Sequence, residues 1–186
     1  MRPKKIDNGQ LIKGLTSVLR NKGYDGASMN ELAKASGLQK ASLYHRFPGG
    51  KEEMARSVLE NIHDWIEANV LKVVADSSRN IEDRLTEAIA NIRDFYQNGE
   101  AVCIIRALSI GSGLVLFGEE LRASIKSWEQ AFVKLGLDAG MDKEKAEVTA
   151  TEVFILIQGS LVLSNGVGSP LPFNKALADI KEKYME

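Results

Sequence analysis

Apolar residues recur at helical spacing along nearly the whole chain, and this periodicity constrains the fold more than any other feature. Leu11, Leu15 and Leu19 show it clearly, because residues four apart share one face of an α-helix. No convincing run alternates apolar and polar residues as a half-buried strand does. The pattern predicts an all-α protein, with helices at about 6–22, 29–36, 39–46, 51–74, 81–97, 102–110, 119–135, 143–163 and 173–184.

Charge is distributed unevenly between the two ends of the chain, although the net charge of the whole is only −1. Residues 1–56 contain 11 Lys and Arg against 5 Asp and Glu, whereas the remainder contains 13 against 20. A basic head on an acidic body indicates that the head binds a polyanion and the body does not. We therefore expect an N-terminal domain of residues 1–56 and a C-terminal domain of residues 57–186.

The features that bear on location point to the cytoplasm. A single cysteine, Cys103, excludes an intrachain disulfide, which fits a reducing compartment. Lys13, Gly14 and Arg20 interrupt the first apolar stretch, so no signal peptide is recognisable. The most apolar segment, 153–163, is too short to span a bilayer. We expect a cytoplasmic protein that binds no membrane.

Residues 28–47 have the layout of a helix-turn-helix, in which two short helices are joined by a tight turn. Ser28 and Glu31 form a capping box, Gly37 occupies the turn, and Phe47 with Pro48 ends the second short helix. The residues that this second helix turns outward are Lys40, Ala41, Ser42, Tyr44, His45 and Arg46. This face is basic and lacks acids, as a helix entering the major groove requires; a merely solvated face is the alternative.

Residues 27–33 (ASMNELA), 37–47 (GLQKASLYHRF) and 51–54 (KEEM) resemble the signature of the TetR family of transcriptional regulators. The resemblance covers about the first third of the chain, and the helical remainder is consistent with it. It implies a three-helix helix-turn-helix domain followed by a helical bundle for ligand binding and dimerisation. It also implies a homodimer on a palindromic DNA operator, released from it by a small, largely apolar inducer. Residues 48–51 and 158–161, with Pro172-Phe173, resemble the branch of multidrug-resistance and flavonoid-responsive repressors.

The same resemblance implies individual roles in DNA binding. Ser28 caps the second helix and donates to a phosphate, the Tyr44 hydroxyl donates to another, and Lys51 reaches a third. The residues that face base edges are Gln39, Lys40, Ala41 and Ser42. Gln39 is a weaker N-cap than the Ser or Thr common in the family, and Arg46 stands where His or another aromatic is common.

Some roles in the head stay open. Arg46 is a candidate for a phosphate or a guanine edge. Tyr44 is alternatively a packing residue. Arg2, Lys4 and Lys5 are either a solvated tail or an arm that reaches into the minor groove.

Aromatic residues are frequent on the middle helices of the body. Helical bundles build mostly apolar ligand cavities between helices, although the simpler interpretation of each aromatic is plain core. The candidate pocket residues are Trp65, Phe95, Cys103, Arg106, Phe117, Trp128 and Phe132. His63 and Gln158 could add polar contacts, with an exposed His63 as the alternative. Cys103 is either a small buried residue or a redox sensor.

Residues 153–157 (VFILI) are apolar around the whole helix, so this helix must be covered on every side. We expect the same helix of a second protomer to supply part of the cover, with Phe154, Ile157 and Leu161 at the interface. A central core helix in a monomer is the alternative. A two-fold dimer would present its recognition helices about 34 Å apart, to successive major grooves.

Two other classes of protein fit less well. An enzyme is disfavoured because His45 and His63 have no metal-ligand spacing, and because no complete dinucleotide, phosphate or nucleophile-elbow motif is present. We therefore expect no metal and no cofactor. A helical carrier that does not bind DNA is disfavoured by the basic head.

Overall fold

The computed structural model of the chain describes residues 7–185, and every regular element within that span is helical. The α-helices there are α1 (Asn8–Gly26), α2 (Met29–Ser36), α3 (Lys40–Arg46), α4 (Gly50–Ile66), α5 (Lys72–Ala75), α6 (Ile81–Phe95), α7 (Ile104–Leu108), α8 (Ser112–Asp138), α9 (Lys143–Val167) and α10 (Leu171–Met185). A π-helical stretch, Glu67–Leu71, joins α4 to α5, and a 3₁₀ turn, Gln97–Gly99, follows α6. The predicted all-α fold is confirmed. The prediction for Arg2, Lys4 and Lys5 concerns residues outside the described span.

The chain divides into two compact units, and the first contains the described residues up to His63 together with Ile104–Leu121. Its core contains side chains with no exposed surface, among them Leu11, Leu15, Leu32, Leu43, Val58, Leu108 and Phe117. The unit therefore includes a segment that lies far along the chain from the helix-turn-helix. The domain boundary near Arg56 stays a prediction.

Helices α1 and α2 approach each other closely at Gly14. A β-carbon added there would lie 2.2 Å from the carbonyl oxygen of Ala35 and 2.9 Å from the amide nitrogen of Ser36. A side chain of any size is therefore incompatible with this packing. Gly23 has φ of 66° and interrupts α1 next to residue 22, where the first helix was predicted to end.

The second unit contains Asp64–Cys103 and the described residues from Arg122 onward. An ion pair joins α6 to α8: Arg84 is 2% exposed, whereas Asp138 is partly open to solvent, and the guanidinium donates to Asp138 at 2.8 Å and to the Val74 carbonyl at 3.0 Å. The side-chain amide of Asn91, in α6, donates to the backbone carbonyl of Asn69 in the π-helical stretch at 2.7 Å. Because π-turns disturb the regular backbone ladder, such a side-chain donor stabilises the distortion.

Helix α9 is, among the described residues, the one helix long and apolar enough by length and composition to cross a membrane. It extends beyond the predicted end to Val167, and it packs against α10 in the second unit. Ala146, Val153 and Ile157 are buried there, which accounts for much of its apolar composition.

Candidate nucleic-acid interface

Helix α2 begins with a complete capping box. The amide of Glu31 donates to the Ser28 hydroxyl oxygen at 3.3 Å, and the amide of Ser28 donates to the Glu31 carboxylate at 3.1 Å. Lys22 of α1 pairs with the same carboxylate at 2.7 Å. The hydrogen bonds from Lys22 and then Ser28 lower the pKa of Glu31 to about 2. The Ser28 hydroxyl itself donates to Glu31 at 2.8 Å, so its predicted donation to a phosphate would require that bond to break.

The turn between α2 and α3 has the geometry that the sequence indicated. Gly37 is left-handed, with φ of 71°, and its amide donates to the carbonyls of Ala33 and Lys34. Gln39 precedes α3 with no side-chain cap, as its residue type suggested. Phe47 closes the helix by donating its amide to the Leu43 carbonyl at 2.8 Å. The short helix therefore has a hydrogen-bonded C-terminal end, whereas no side chain caps its N-terminal end.

Helix α3 turns one residue inward and the rest outward. Leu43 has no exposed surface and packs in the core of the first unit, with Phe47 just beyond the helix. Half of the Tyr44 surface is exposed, which leaves the ring outside the core. The residues on the exposed face are Gln39, Lys40, Ala41, Ser42, Tyr44, His45 and Arg46. All of them are exposed to solvent in the folded protein.

Two basic residues predicted to contact DNA are engaged within the protein. Arg46 donates to the Asn8 side chain at 2.7 Å, which joins the end of α3 to the start of α1. The Lys51 ammonium donates to the carbonyls of Tyr24 at 2.8 Å and Ala27 at 3.2 Å. In this conformation Lys51 therefore points into the turn between α1 and α2 instead of toward a phosphate.

Long-range contacts that the sequence did not predict support the helix-turn-helix. The Asp25 carboxylate accepts from the amide of Ser112 at 2.9 Å, a bond that lowers the pKa of Asp25. Arg56 pairs with Glu120, and its guanidinium lies 5.2 Å from the ring centre of Phe117. No sequence signal marks these pairs, because the partners lie about 60 to 90 positions apart.

The candidate pocket residues do not form one cluster within either unit. Phe117 is buried in the core of the first unit against Tyr24, and Arg106 is exposed on that unit. In the second unit, Trp65 stacks on Phe95 at 4.7 Å, with both rings half-buried. Two further candidate groups lie in the second unit. The Trp128 ring stacks on Phe132 with 5.5 Å between ring centres, and the sulfur of buried Cys103 lies 3.6 Å from the Tyr96 hydroxyl oxygen.

The remaining polar candidates of the body add little to a pocket. His63 is exposed, as the alternative interpretation held, and Gln158 is half-buried. Within residues 7–185, no group of three or more His, Cys, Asp or Glu side chains could hold a metal ion.

Two of the three predicted dimer residues require correction. Ile157 and Leu161 are 1% and 2% exposed because they face the core of their own unit, so they are not available to a partner. Phe154 is half-buried and packs edge-on against Trp128. The opposite face of α9 is open and apolar, with exposed side chains at Val148, Ile155, Val162, Leu163 and Val167.

Helix α3 has an exposed outward face, and it follows a capped α2 and a left-handed turn. These features define a helix-turn-helix DNA-binding protein. Residues 11–58 match the family model of bacterial regulatory proteins of the tetR family. YxaF, an uncharacterised HTH-type transcriptional regulator of Bacillus subtilis strain 168, is 30% identical over 83% of this chain and 83% of its own length. The chain therefore belongs to the TetR family and is a DNA-binding transcriptional regulator, not an enzyme.

Two further comparisons agree with this membership. The HTH-type transcriptional repressor KstR2 of Mycobacterium tuberculosis H37Rv is 31% identical over 41% of this chain and 38% of its own length. The solved structure of a cysteine mutant of the TetR-family regulator CifR, complexed with 26-bp double-strand operator DNA, has a TM-score of 0.73. It covers 98% of each chain at 19% identity, so it supports the fold.

Proposed function

We propose that this regulator is a cytoplasmic homodimeric repressor that binds a palindromic operator and is released by a small, largely apolar ligand. The observation that carries the proposal is the α3 face, which is basic, free of acids and exposed from Lys40 to Arg46 except at Leu43. A named repressor among the relatives, KstR2, supports repression as the outcome. The bound regulator would then exclude other proteins from the operator.

In this proposal α3 enters the major groove and reads base edges with its first turn. Ser42 can bond any base and the Ala41 methyl suits a thymine methyl, whereas Lys40 brings its charge to a phosphate at the edge of the groove. Tyr44 donates its hydroxyl to a phosphate, and half of its surface is exposed for that contact. His45 lies beside it on the exposed face. Arg46 would bind DNA after exchanging its bond to Asn8.

The DNA proposal is tested first on operator fragments selected from genomic DNA by the purified chain. The affinity should fall steeply with salt, with a log–log slope of about −3 or steeper, because Lys40 and Arg46 of two protomers release counterions. Lys40→Met should weaken binding and make the slope shallower. Lys175→Met is the matched control, since Lys175 is exposed on α10 in the second unit. A flat salt titration of the unmodified protein would contradict the proposal.

The dimer is proposed to form through the open face of α9. Val148, Ile155 and Val162 recur every seven residues, so they line one side of the helix. Gly159 and Gly166 lie on the same face, and a β-carbon at either would meet nothing within 4 Å. A partner helix could therefore approach closely there.

A groove of about 520 Å³ also lies between α8 and α9, and its lining contains both signs of charge, including Lys134 and Glu147.

Sedimentation equilibrium tests this interface. The unmodified chain should be a dimer at micromolar concentration, and Ile155→Glu should dissociate it because a charge would be buried at the centre of the apolar face. Val115→Glu serves as the control, since Val115 is 85% exposed on a different helix. A monomeric wild-type protein would overturn the proposal.

The ligand is proposed to bind on the second unit beside the stacked Trp65 and Phe95 rings, which offer a partly exposed aromatic surface. A ligand that favours a dimer arrangement different from the DNA-bound one weakens operator binding. The operator then weakens ligand binding by the same factor. Quercetin, a flavonoid, is a suitable first probe because its flat ring system can stack on these side chains.

Tryptophan fluorescence measures this binding directly, because Trp65 and Trp128 are the two tryptophans of the chain. Quercetin should quench the emission, and Trp65→Leu should weaken its binding more than Trp128→Leu. Quercetin that binds but leaves operator affinity unchanged would contradict ligand-controlled release.

A further inference from the structure

The start of α8 is capped by a side chain from the entry to the helix-turn-helix. The backbone amide of Ser112 donates to the Asp25 carboxylate at 2.9 Å, although 87 positions separate the two residues. Bonds from the backbone and then the side chain of Ser112 lower the pKa of Asp25, so the carboxylate is ionised at neutral pH. A negative charge at the start of a helix is also stabilised by the helix dipole. Asp25 therefore caps α8 from a distant part of the chain.

The two segments meet with little free space around this bond. Gly111 has φ of 59°, and a β-carbon added there would lie 2.3 Å from an oxygen of the Asp25 carboxylate. A β-carbon at Gly23 would lie 3.0 Å from the carbonyl oxygen of Ala107. One glycine in each segment thus allows the close approach, and a side chain at Gly111 would displace Asp25.

Asp25 lies in the segment where the helix-turn-helix begins. Gly23 interrupts α1, and Ser28, three residues after Asp25, caps α2. The Tyr24 ring packs edge-on against Phe117, which lies further along α8, with 5.3 Å between ring centres. Helix α8 thus contacts two consecutive residues of the α1–α2 turn, one through a hydrogen bond and one through an aromatic pair. A shift of this turn would move the start of α2, which leads through a tight turn to α3.

We propose that Asp25 is a positioning residue for operator binding, which holds the α1–α2 turn against the first turn of α8 and thereby sets the placement of α3. The proposal rests on the operator binding proposed above. Asp25 is an anion, and an anion in a DNA-binding unit opposes the approach of phosphates. Positioning and charge therefore predict opposite effects when this side chain is removed.

Operator affinity of an Asp25→Ala variant separates the two effects. We expect the affinity to fall at least threefold at fixed salt, because the bond to the Ser112 amide is lost. The loss should be partial, since Lys51 also bonds two carbonyls of the same turn. Glu60→Ala is the charge control, because Glu60 is exposed on α4 within the first unit, and its affinity should equal or exceed that of the unmodified chain. Unchanged or higher affinity in Asp25→Ala would overturn the proposal.

Asp25→Asn is the conservative variant. Asparagine removes the charge but keeps an oxygen that accepts from a helix amide, and it is as good a capping residue as aspartate. We expect Asp25→Asn to bind the operator at least as tightly as the unmodified chain does. If asparagine bound as weakly as alanine, the hydrogen bond would not be the source of the effect and the proposal would be wrong.

Thermal unfolding distinguishes positioning from stability alone. Affinities are compared at a temperature at which circular dichroism shows the unmodified chain and both variants to be fully folded. A purely stabilising bond would leave the affinity of the folded Asp25→Ala protein unchanged, and that result would refute the positioning role.

Hydrogen exchange at the Ser112 amide tests the bond in the unmodified protein, without dependence on a variant. If the bond favours the placement that binds the operator, the operator must favour the bond by the same factor. Exchange of this amide, followed by NMR, should therefore slow about threefold or more when the selected operator is added. Exchange unaffected by bound operator would overturn the proposal. Failure of the unmodified chain to bind any selected operator would instead refute the proposed function, so the two failures are distinguishable.

Discussion

Replacing Gly14 with alanine should separate α1 from α2 and destabilise the DNA-binding unit. The new β-carbon would lie 2.2 Å from the Ala35 carbonyl oxygen. Favourable contact distances for carbon are about 3.5–4 Å, so the two backbones would have to part by roughly 1 Å. Alanine would favour the helix by about 1 kcal/mol, whereas overpacking against a rigid backbone costs about 3 kcal/mol or more. The net loss should be about 2 kcal/mol or more.

Thermal unfolding followed by circular dichroism measures this loss. For a unit of this size, about 2 kcal/mol corresponds to a decrease in Tm of roughly 8–16 °C. Operator affinity should fall as well, because α2 leads through its turn to α3. Gly9→Ala is the matched control in the same helix, since its nearest neighbour is the flexible Asp7 carboxylate at 3.1 Å. If Gly14→Ala were as stable as Gly9→Ala, the packing of α1 on α2 described above would be wrong.

Two further predictions concern the second unit. The pKa of Asp138 is lowered to about 2, chiefly by the hydrogen bond from Arg84. The ionised carboxylate therefore stabilises the fold above its unfolded pKa near 4, and this contribution is lost as the pH falls through about 2. Asp138→Asn should therefore lose about 1 kcal/mol at neutral pH, because solvent screens this partly exposed carboxylate. It should also show a shallower loss of stability between about pH 5 and 2 in urea unfolding; an unchanged pH profile would contradict this. Asn91→Ala should cost about 1 kcal/mol and speed hydrogen exchange at the π-helical stretch, because the Asn69 carbonyl loses its donor; unchanged exchange would count against that role.

The sequence alone was sufficient to identify the local features of the DNA-binding head. The capping box of Ser28 and Glu31, the turn at Gly37 and the outward face of α3 all appear in the structure as predicted. These features depend on hydrogen bonds and side-chain periodicity within three to five residues. A short stretch of chain contains everything needed to specify them.

Only the tertiary structure decided where several side chains point. Helix α8 begins at Ser112, several residues before the predicted start, where Asp25 caps it from 87 positions away. Lys51 turns into the α1–α2 turn, and Ile157 faces the core of its own unit instead of a partner. Each outcome depends on which surfaces meet after folding. Periodicity shows that a face is apolar or basic, but the neighbour that covers it comes from a distant part of the chain.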